Sequence, residues 1–332
     1  MRKGMRRLLT FLLVLCISAY SLLGAGCGKD SPEKAASLNT PATSEVLQGG
    51  SGDKKESTQE ADAQQKKYGD VKGFLWEARK GNAVVYMYGS IHVGDEDTYP
   101  LAKEVEDAFD SSKVVVGEID ITNTKALAQQ ALNMVYTNGD TAYDHMSAEG
   151  KKKIEDACKE LSFNPRSVLN EKVWALASIV SDYQMEKAGY KAKYGIDMYF
   201  MNKAKGKKKI MEVEGAEFQF NLLNSFSDEE QEKYFVTPIT TIDDTKKGMD
   251  EMFEAFKNGD EKAMLEAMGE DDRSSNFYKK MISDRNKNMA AKIEEYLNTE
   301  DTYFVVVGLA HYLGEDGVIK QLQDKGYTVT RK

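Results

Sequence analysis

The chain is poor in the residues that most often carry chemistry, with 3 histidines and 3 cysteines among 332 residues. Only Cys158 lies beyond residue 27, so no intrachain disulfide can brace the body of the protein. Ile154, Cys158 and Leu161 share one helical face at i, i+4 and i+7, which reads as packing rather than as a nucleophile. Positive charge is also in deficit, with 45 Lys and Arg against 54 Asp and Glu and a formal net charge of −9. Loss of Arg2, Lys3, Arg6 and Arg7 with an N-terminal leader takes that charge to −13. A field of this sign argues against nucleic acid as a partner and against a polybasic membrane contact. The local basic cluster at 203–209 reads as a solvated turn between a helix and a strand.

Aromatic residues are missing from 28–67, a tract rich in Ser, Ala, Gln, Lys, Gly and Glu. Such a composition cannot bury enough apolar surface to offset the entropy of ordering it, so 27–67 reads as a flexible linker. Ahead of it, residues 1–26 have the form of an export signal, a basic start followed by 19 uncharged residues at 8–26. Leu22-Leu23-Gly24-Ala25-Gly26-Cys27 resembles a bacterial lipobox, although Gly24 stands where that pattern has Leu. Cleavage before Cys27 and lipidation of its thiol predict a lipoprotein anchored to the outer face of the cell membrane. A retained transmembrane anchor is the alternative, since the apolar run approaches the ~20 residues that span a bilayer. One folded domain at 68–332 follows.

Two of the few histidines share a setting. Gly89-Ser90-Ile91-His92 and Gly308-Leu309-Ala310-His311 each follow an apolar run, Val84-Val85-Tyr86-Met87-Tyr88 in the first case and Tyr303-Phe304-Val305-Val306-Val307 in the second. Each is followed by a Gly and acidic residues, at 94–97 and 314–317. The repeat reads as a strand-loop-helix unit that delivers one imidazole each time. A glycine three residues before the histidine serves either a positive φ or a close backbone approach. The third histidine, His145, lacks the pattern and stands near a helix start capped by Ser147.

Hydrophobic periodicity predicts the frame around these motifs. Residues 74–78 and 83–88 form a hairpin about 79–82, 99–109 a helix and 113–117 a buried strand; 303–307, 317–324 and 327–330 form strand, helix and strand. Helices fill much of 124–297, interrupted by a strand at 208–213, and their Met and aromatic residues are core. The fold class is therefore α/β, a mostly parallel central sheet built from two strand-loop-helix-strand units carrying the GxxH motifs, with a large helical insertion between them. Ligands of such sheets bind outside the carboxyl ends of the strands. His92, Glu118, Glu214 and His311 all follow strand ends. Two imidazoles with one or two carboxylates form a plausible set for a divalent metal such as Zn, Mn, Fe or Co.

Further segments extend the pattern: Gly73-Phe74-Leu75-Trp76-Glu77, Val115-Val116-Gly117-Glu118, Gly195-Ile196-Asp197, Val213-Glu214 with Gln219, Asn258-Gly259-Asp260, Asp284-Arg285-Asn286 and residues 303–317. In content and order they resemble the TraB/PrgY/GumN family, related to the Tiki metalloproteases and more distantly to erythromycin-esterase and ChaN-like proteins. The resemblance covers nearly the whole folded domain. Ser90 stands where the family often has Thr, Val173-Trp174 where it has Pro-Trp, and Val213-Glu214-Gly215 where it has Leu-Glu-Thr.

The resemblance implies an exported, metal-dependent hydrolase acting on peptides or proteins at the cell surface. Carried over residue by residue, His92, Glu118 and His311 are the metal ligands, and Glu214 is the base or fourth ligand. Arg285 would stabilise an oxyanion or a substrate carboxylate, and Asp197 would orient one of the others. The expected cofactor is a divalent ion, Mn, Co or Zn. A non-enzymatic lipoprotein that sequesters a peptide signal or haem through the same histidines is the alternative reading.

Overall fold

The computed structural model describes residues 68–269 and 272–332. The leader, Cys27 and the linker lie outside the described residues. Six strands form one sheet: β1 (Leu75–Lys80), β2 (Ala83–Ser90), β3 (Val114–Gly117), β4 (Lys209–Glu212), β5 (Thr302–Gly308) and β6 (Val329–Arg331). Their order is β4-β3-β5-β2-β1-β6. The α/β architecture is as the periodicity predicts. The four strands β4, β3, β5 and β2 run parallel, while β1 opposes both of its neighbours.

The hairpin forms as expected, turning at Gly81 with φ +59°, a backbone region that glycine enters without steric cost. Helix α1 (Lys103–Ser111) starts later than the expected residue 99. Pro100 disfavours helical backbone at the residue before it, and Tyr99 is extended at φ −116°. The second strand-helix-strand unit forms as well. After β5 and helix α10 (Val318–Asp324) the chain does not return beside β5 but crosses the sheet to pair β6 with β1.

The decisive feature is the place of β5. It inserts between β2 and β3, pairing with both, so that Ser90 faces Gly308 and Gly117 faces Val306. The first and last parts of the chain are thereby interleaved, and three adjacent strands end side by side. Beneath these ends the sheet rests on an aromatic cluster. Phe304 lies 4.6 Å from Phe200 and 6.0 Å from Tyr88 between ring centroids, and Phe109 lies 5.1 Å from Phe200. All four rings are fully buried. Each such ring contributes about 1.5–3 kcal/mol through burial, with up to ~1.5 kcal/mol more per well-placed pair.

The insertion is helical apart from β4. It comprises α2 (Thr124–Gln130), α3 (Ala148–Glu160), α4 (Val173–Lys187), α5 (Ile196–Ala204), α6 (Ala216–Asn224), α7 (Ile242–Asn258), α8 (Glu261–Met268) and α9 (Asp284–Leu297), with shorter turns between them. Cys158 is buried on α3, and burial pushes its thiol up to about 11, which suits packing. Ser147 caps α3 by accepting from the Gly150 N–H. His145 lies just before it, stacked on Tyr136 and bonded to Asp228 and Asp140. Among the described residues no helix is long and apolar enough to cross a membrane.

Candidate functional site

The strand order gathers His92 after β2, His311 after β5 and Glu118 after β3 on one sheet edge. The two GxxH motifs pack on one another there. A Cβ on Gly89 would lie 2.4 Å from Leu309 Cδ1, so this glycine serves close approach. Gly308 has an ordinary φ of −49°. Its N–H donates to Glu118 Oε1 at 2.7 Å, tying the second motif to the third strand.

Each imidazole is buried and held from behind. His92 Nδ1 lies 2.7 Å from Asp197 Oδ2. Asp197 opens α5, and the Ile196 N–H donates to the Ile91 carbonyl at 2.9 Å, which fixes the helix start against the motif. His311 Nδ1 lies 2.6 Å from Asn286 Oδ1. Asn286 is oriented in turn, because its Nδ2 donates to the Asp316 carbonyl at 2.8 Å and leaves Oδ1 as the acceptor facing the ring. Nδ1 therefore carries the proton. In both rings Nε2 is buried without a hydrogen-bond partner among the described residues.

The two rings sit in different fields. Burial is the largest influence on His92 and lowers its pKa, but the charge and hydrogen bond of Asp197, with the charge of Glu118, outweigh it and raise the group above its ordinary value. His311 is held well below the usual histidine range by burial and then by the positive charge of Arg285.

Behind the histidines lies an ion-pair cluster. Arg285 Nη2 donates to Glu118 Oε2 at 2.7 Å and to Glu214 Oε2 at 2.8 Å, and Nε donates to Glu214 Oε1 at 2.7 Å. Its Nη1 donates to the Met281 carbonyl at 3.2 Å, within the π-helical turn Lys279–Ser283 that precedes α9. Gln219 Nε2 bridges the two carboxylates, 2.9 Å from Glu118 and 2.8 Å from Glu214. All three nitrogens of the 1% exposed guanidinium are thus spent on the protein. This arrangement holds carboxylates in place, and it differs from the expectation that Arg285 meets substrate. Glu214 likewise accepts three of these bonds, the setting of a structural anion more than of a base.

Gly215 departs from the resembled pattern in backbone as well as side chain. Its φ of +96° and ψ of 151° are closed to a β-branched residue such as Thr.

Whether a metal fits depends on the atoms left free. His311 Nε2 is 3.9 Å from Glu118 Oε1. Ligands of one tetrahedral zinc lie roughly 3.3 Å apart at ~2.0–2.1 Å bond lengths, so a small inward shift would bring these two into one shell. Among the described residues no three His, Cys, Asp or Glu side chains already form a closed set. The formal charges of Glu118, Glu214 and Asp197 against that of Arg285 leave two negative charges, matching a divalent cation. Two free Nε2 atoms, each with its Nδ1–H anchored, are the usual preparation of imidazole ligands. The residues present fit the group.

Sequence reasoning recognised the Gln219 and Asn286 positions without giving them roles. Their signal was adjacency, Asn286 beside Arg285 on one helix and Gln219 five residues after Glu214. Beside Glu214 a hollow of about 710 Å³ opens between α2 and α6. A second, of about 640 Å³, lies among the insertion's helices and is lined by none of the candidate residues.

YbaP of Escherichia coli (strain K12), named as uncharacterized, is 26% identical over 154 residues, covering 45% of this chain and 54% of that protein. The chain thus spans about half the length of that relative. An uncharacterized protein of Treponema pallidum (strain Nichols) is 21% identical over 262 residues, covering 74% of this chain and 78% of that protein. No solved structure matches. The profile of the TraB/PrgY/gumN family matches residues 74–331, from the strand that opens the sheet to the one that closes it, and the chain belongs to that family.

Proposed function

We propose that the chain is a divalent-metal-dependent hydrolase acting on peptides or proteins, with the metal held by His92 and His311 through Nε2 and by Glu118 through Oε1. The observation that carries this reading is the pair of buried, unpartnered Nε2 atoms whose opposite nitrogens are fixed by Asp197 and Asn286. A divalent ion such as Mn, Co or Zn supplies Lewis acidity toward a carbonyl oxygen and lowers the pKa of water. The remaining work belongs to the chain itself. Asp197 and Asn286 hold the rings in the tautomer that offers a lone pair. Glu214 holds Arg285, and Arg285 and Gln219 together hold Glu118 facing His311, so that the carboxylate does not turn to solvent. Arg285 and Glu214 are positioning residues in this account. The low-dielectric setting of the buried pair strengthens every charge interaction at the reacting centre.

Export and anchoring through lipidated Cys27 belong to the same proposal, as the leader that would place the enzyme at the cell surface. Sequestration of a peptide signal or haem would use the same Nε2 atoms without turnover.

The test is elemental analysis of the purified protein after equilibration with Mn, Co and Zn, wild type beside His92→Ala and His311→Ala, followed by mass spectrometry of a peptide mixture incubated with each. Near-stoichiometric metal and metal-dependent products, both lost in both variants, support the proposal. Metal without products favours sequestration. A wild type that takes up no metal sinks the metallohydrolase reading.

A further inference from the structure

β4 is an edge strand, and its outer side is open. The pairing pattern shows which groups face outward. Val213 N–H donates to the Gly117 carbonyl at 2.9 Å. Because a parallel ladder alternates residue by residue, Met211 and Lys209 also turn their peptide groups toward β3, while Ile210 and Glu212 turn theirs away. Among the described residues no backbone bond reaches these outward groups. Proteins usually cover or blunt such an edge. Here it is left beside the hollow of about 710 Å³, where Ile210, Met211 and Glu212 form one wall and Phe218, 41% exposed, stands on the adjoining helix.

The lining has a definite charge. Asp120, Glu212, Glu214 and Glu217 contribute to it, and no Lys or Arg does. Glu214 is neutralised by Arg285, and one oxygen of Glu212 accepts from the Asp120 N–H at 2.9 Å. The other carboxylates are exposed or half-buried at the rim. His92, Glu118 and His311 do not line the hollow, but Glu214 does, and it is joined to Glu118 through Arg285 and Gln219.

We infer that this groove binds a basic polypeptide segment in extended form, added as a further strand against β4. The outward N–H and C=O groups of Ile210 and Glu212 give affinity without regard to sequence. The acidic rim selects Lys or Arg side chains, and Phe218 packs on an apolar residue between them. An extended occupant running past Glu212 is led to the sheet edge where the histidines lie. This inference rests on the peptide-hydrolase reading for its purpose, but not for its test.

The probe is an acetylated, amidated octapeptide alternating Lys and Val, fluorescein-labelled, titrated with the full exported protein and followed by anisotropy. Two further peptides carry N-methyl groups on alternate residues, one in each register, and a fourth replaces Lys by Glu. The unmodified peptide is expected to bind, with one N-methyl register and the Glu peptide at least tenfold weaker. Amide exchange at Ile210 and Glu212 should slow on binding. Ile210→Pro removes an outward N–H that β3 does not use and should weaken binding tenfold or more. If that variant does not fold, Phe218→Ala and Glu217→Lys are each expected to weaken binding at least threefold.

Equal binding of both N-methylated peptides would overturn strand addition, as would no binding at all. Slowed exchange at Ile210 and Glu212 that grows with protein concentration alone would assign the edge to a second copy of the chain and overturn the peptide as occupant. Binding is read without turnover, so failure of the groove leaves any metal-dependent cleavage visible. Failure of the hydrolase reading likewise leaves peptide binding intact.

Discussion

Asn286 Oδ1 lies 2.6 Å from His311 Nδ1, inside a core where both residues are 0% exposed. The amide oxygen faces that nitrogen and so decides which ring nitrogen keeps the proton. Asn286→Ala should therefore leave the Nδ1–H unsatisfied and cost about 1–3 kcal/mol of stability. It should also weaken metal binding about 10- to 100-fold, as removal of such a partner typically does. Asn286→Asp keeps an acceptor and should bind metal more tightly than the Ala variant. Thermal unfolding with and without chelator, beside metal titrations, checks both statements. Equal metal affinity in wild type and Asn286→Ala would show that His311 needs no orienting partner.

Arg285 is one cation between two buried carboxylates, so its removal is not a simple loss of two contacts. Arg285→Met strands the charges of Glu118 and Glu214 beneath the sheet edge and is expected to cost about 3–5 kcal/mol. Adding Glu118→Gln and Glu214→Gln to that variant removes the stranded charge and should recover a large part of the loss. Urea midpoints of the single and triple variants decide the matter. A triple variant no more stable than the single one would place the role of Arg285 in packing instead of charge.

Much of the frame was legible in the sequence because periodicity and strand ends report local physics. The hairpin about Gly81, the buried run 114–116 and the apolar run before His311 each declare a strand whatever surrounds them. What sequence could not state was that β5 slides between β2 and β3, since register between segments about two hundred residues apart is a tertiary outcome. The path of β6 to the far side of β1 escaped for the same reason. At the site, residue types pointed to His92, Glu118, Glu214 and His311, but ion pairing is invisible in one dimension. Arg285 and Glu214 look like free catalytic groups in the sequence and face each other in the fold. Asn286 and Gln219 carry no charge, and only their neighbours mark them.

Gly195 offers a probe of the His92 arm that alters no polar group. A Cβ there would lie 2.6 Å from the His92 carbonyl oxygen and 2.7 Å from Asp197 Oδ1, so both contacts must give. Gly195→Ala is expected to loosen the Asp197 bond, to weaken metal binding about tenfold and to cost about 1–3 kcal/mol. Gly248→Ala on α7 is the matched control, because nothing lies within 4 Å of its Cβ position. That change should be neutral or stabilise by up to ~1 kcal/mol. Similar metal affinity in the two variants would sever the proposed link between helix α5 and His92.

Glu171, just ahead of α4 and not among the candidate site residues, supplies a pH dependence of its own. Burial raises its carboxyl from the ordinary 4.5 to about 7, and Oε2 has no hydrogen-bond partner among the described residues. An acid whose pKa rises on folding holds its proton more tightly in the folded state. Its contribution to stability is fully present below about pH 4.5, where both states are protonated, and declines as pH climbs through 7 and the buried group must ionise. Glu171→Gln removes that ionisation. Its denaturation midpoint should match wild type near pH 4 and exceed it at pH 8, with the gap opening between those values. The difference between variant and wild type is the quantity to follow, because the chain's other carboxylates titrate identically in both. A gap that stays constant from pH 4 to pH 8 would mean that Glu171 ionises freely in the folded protein.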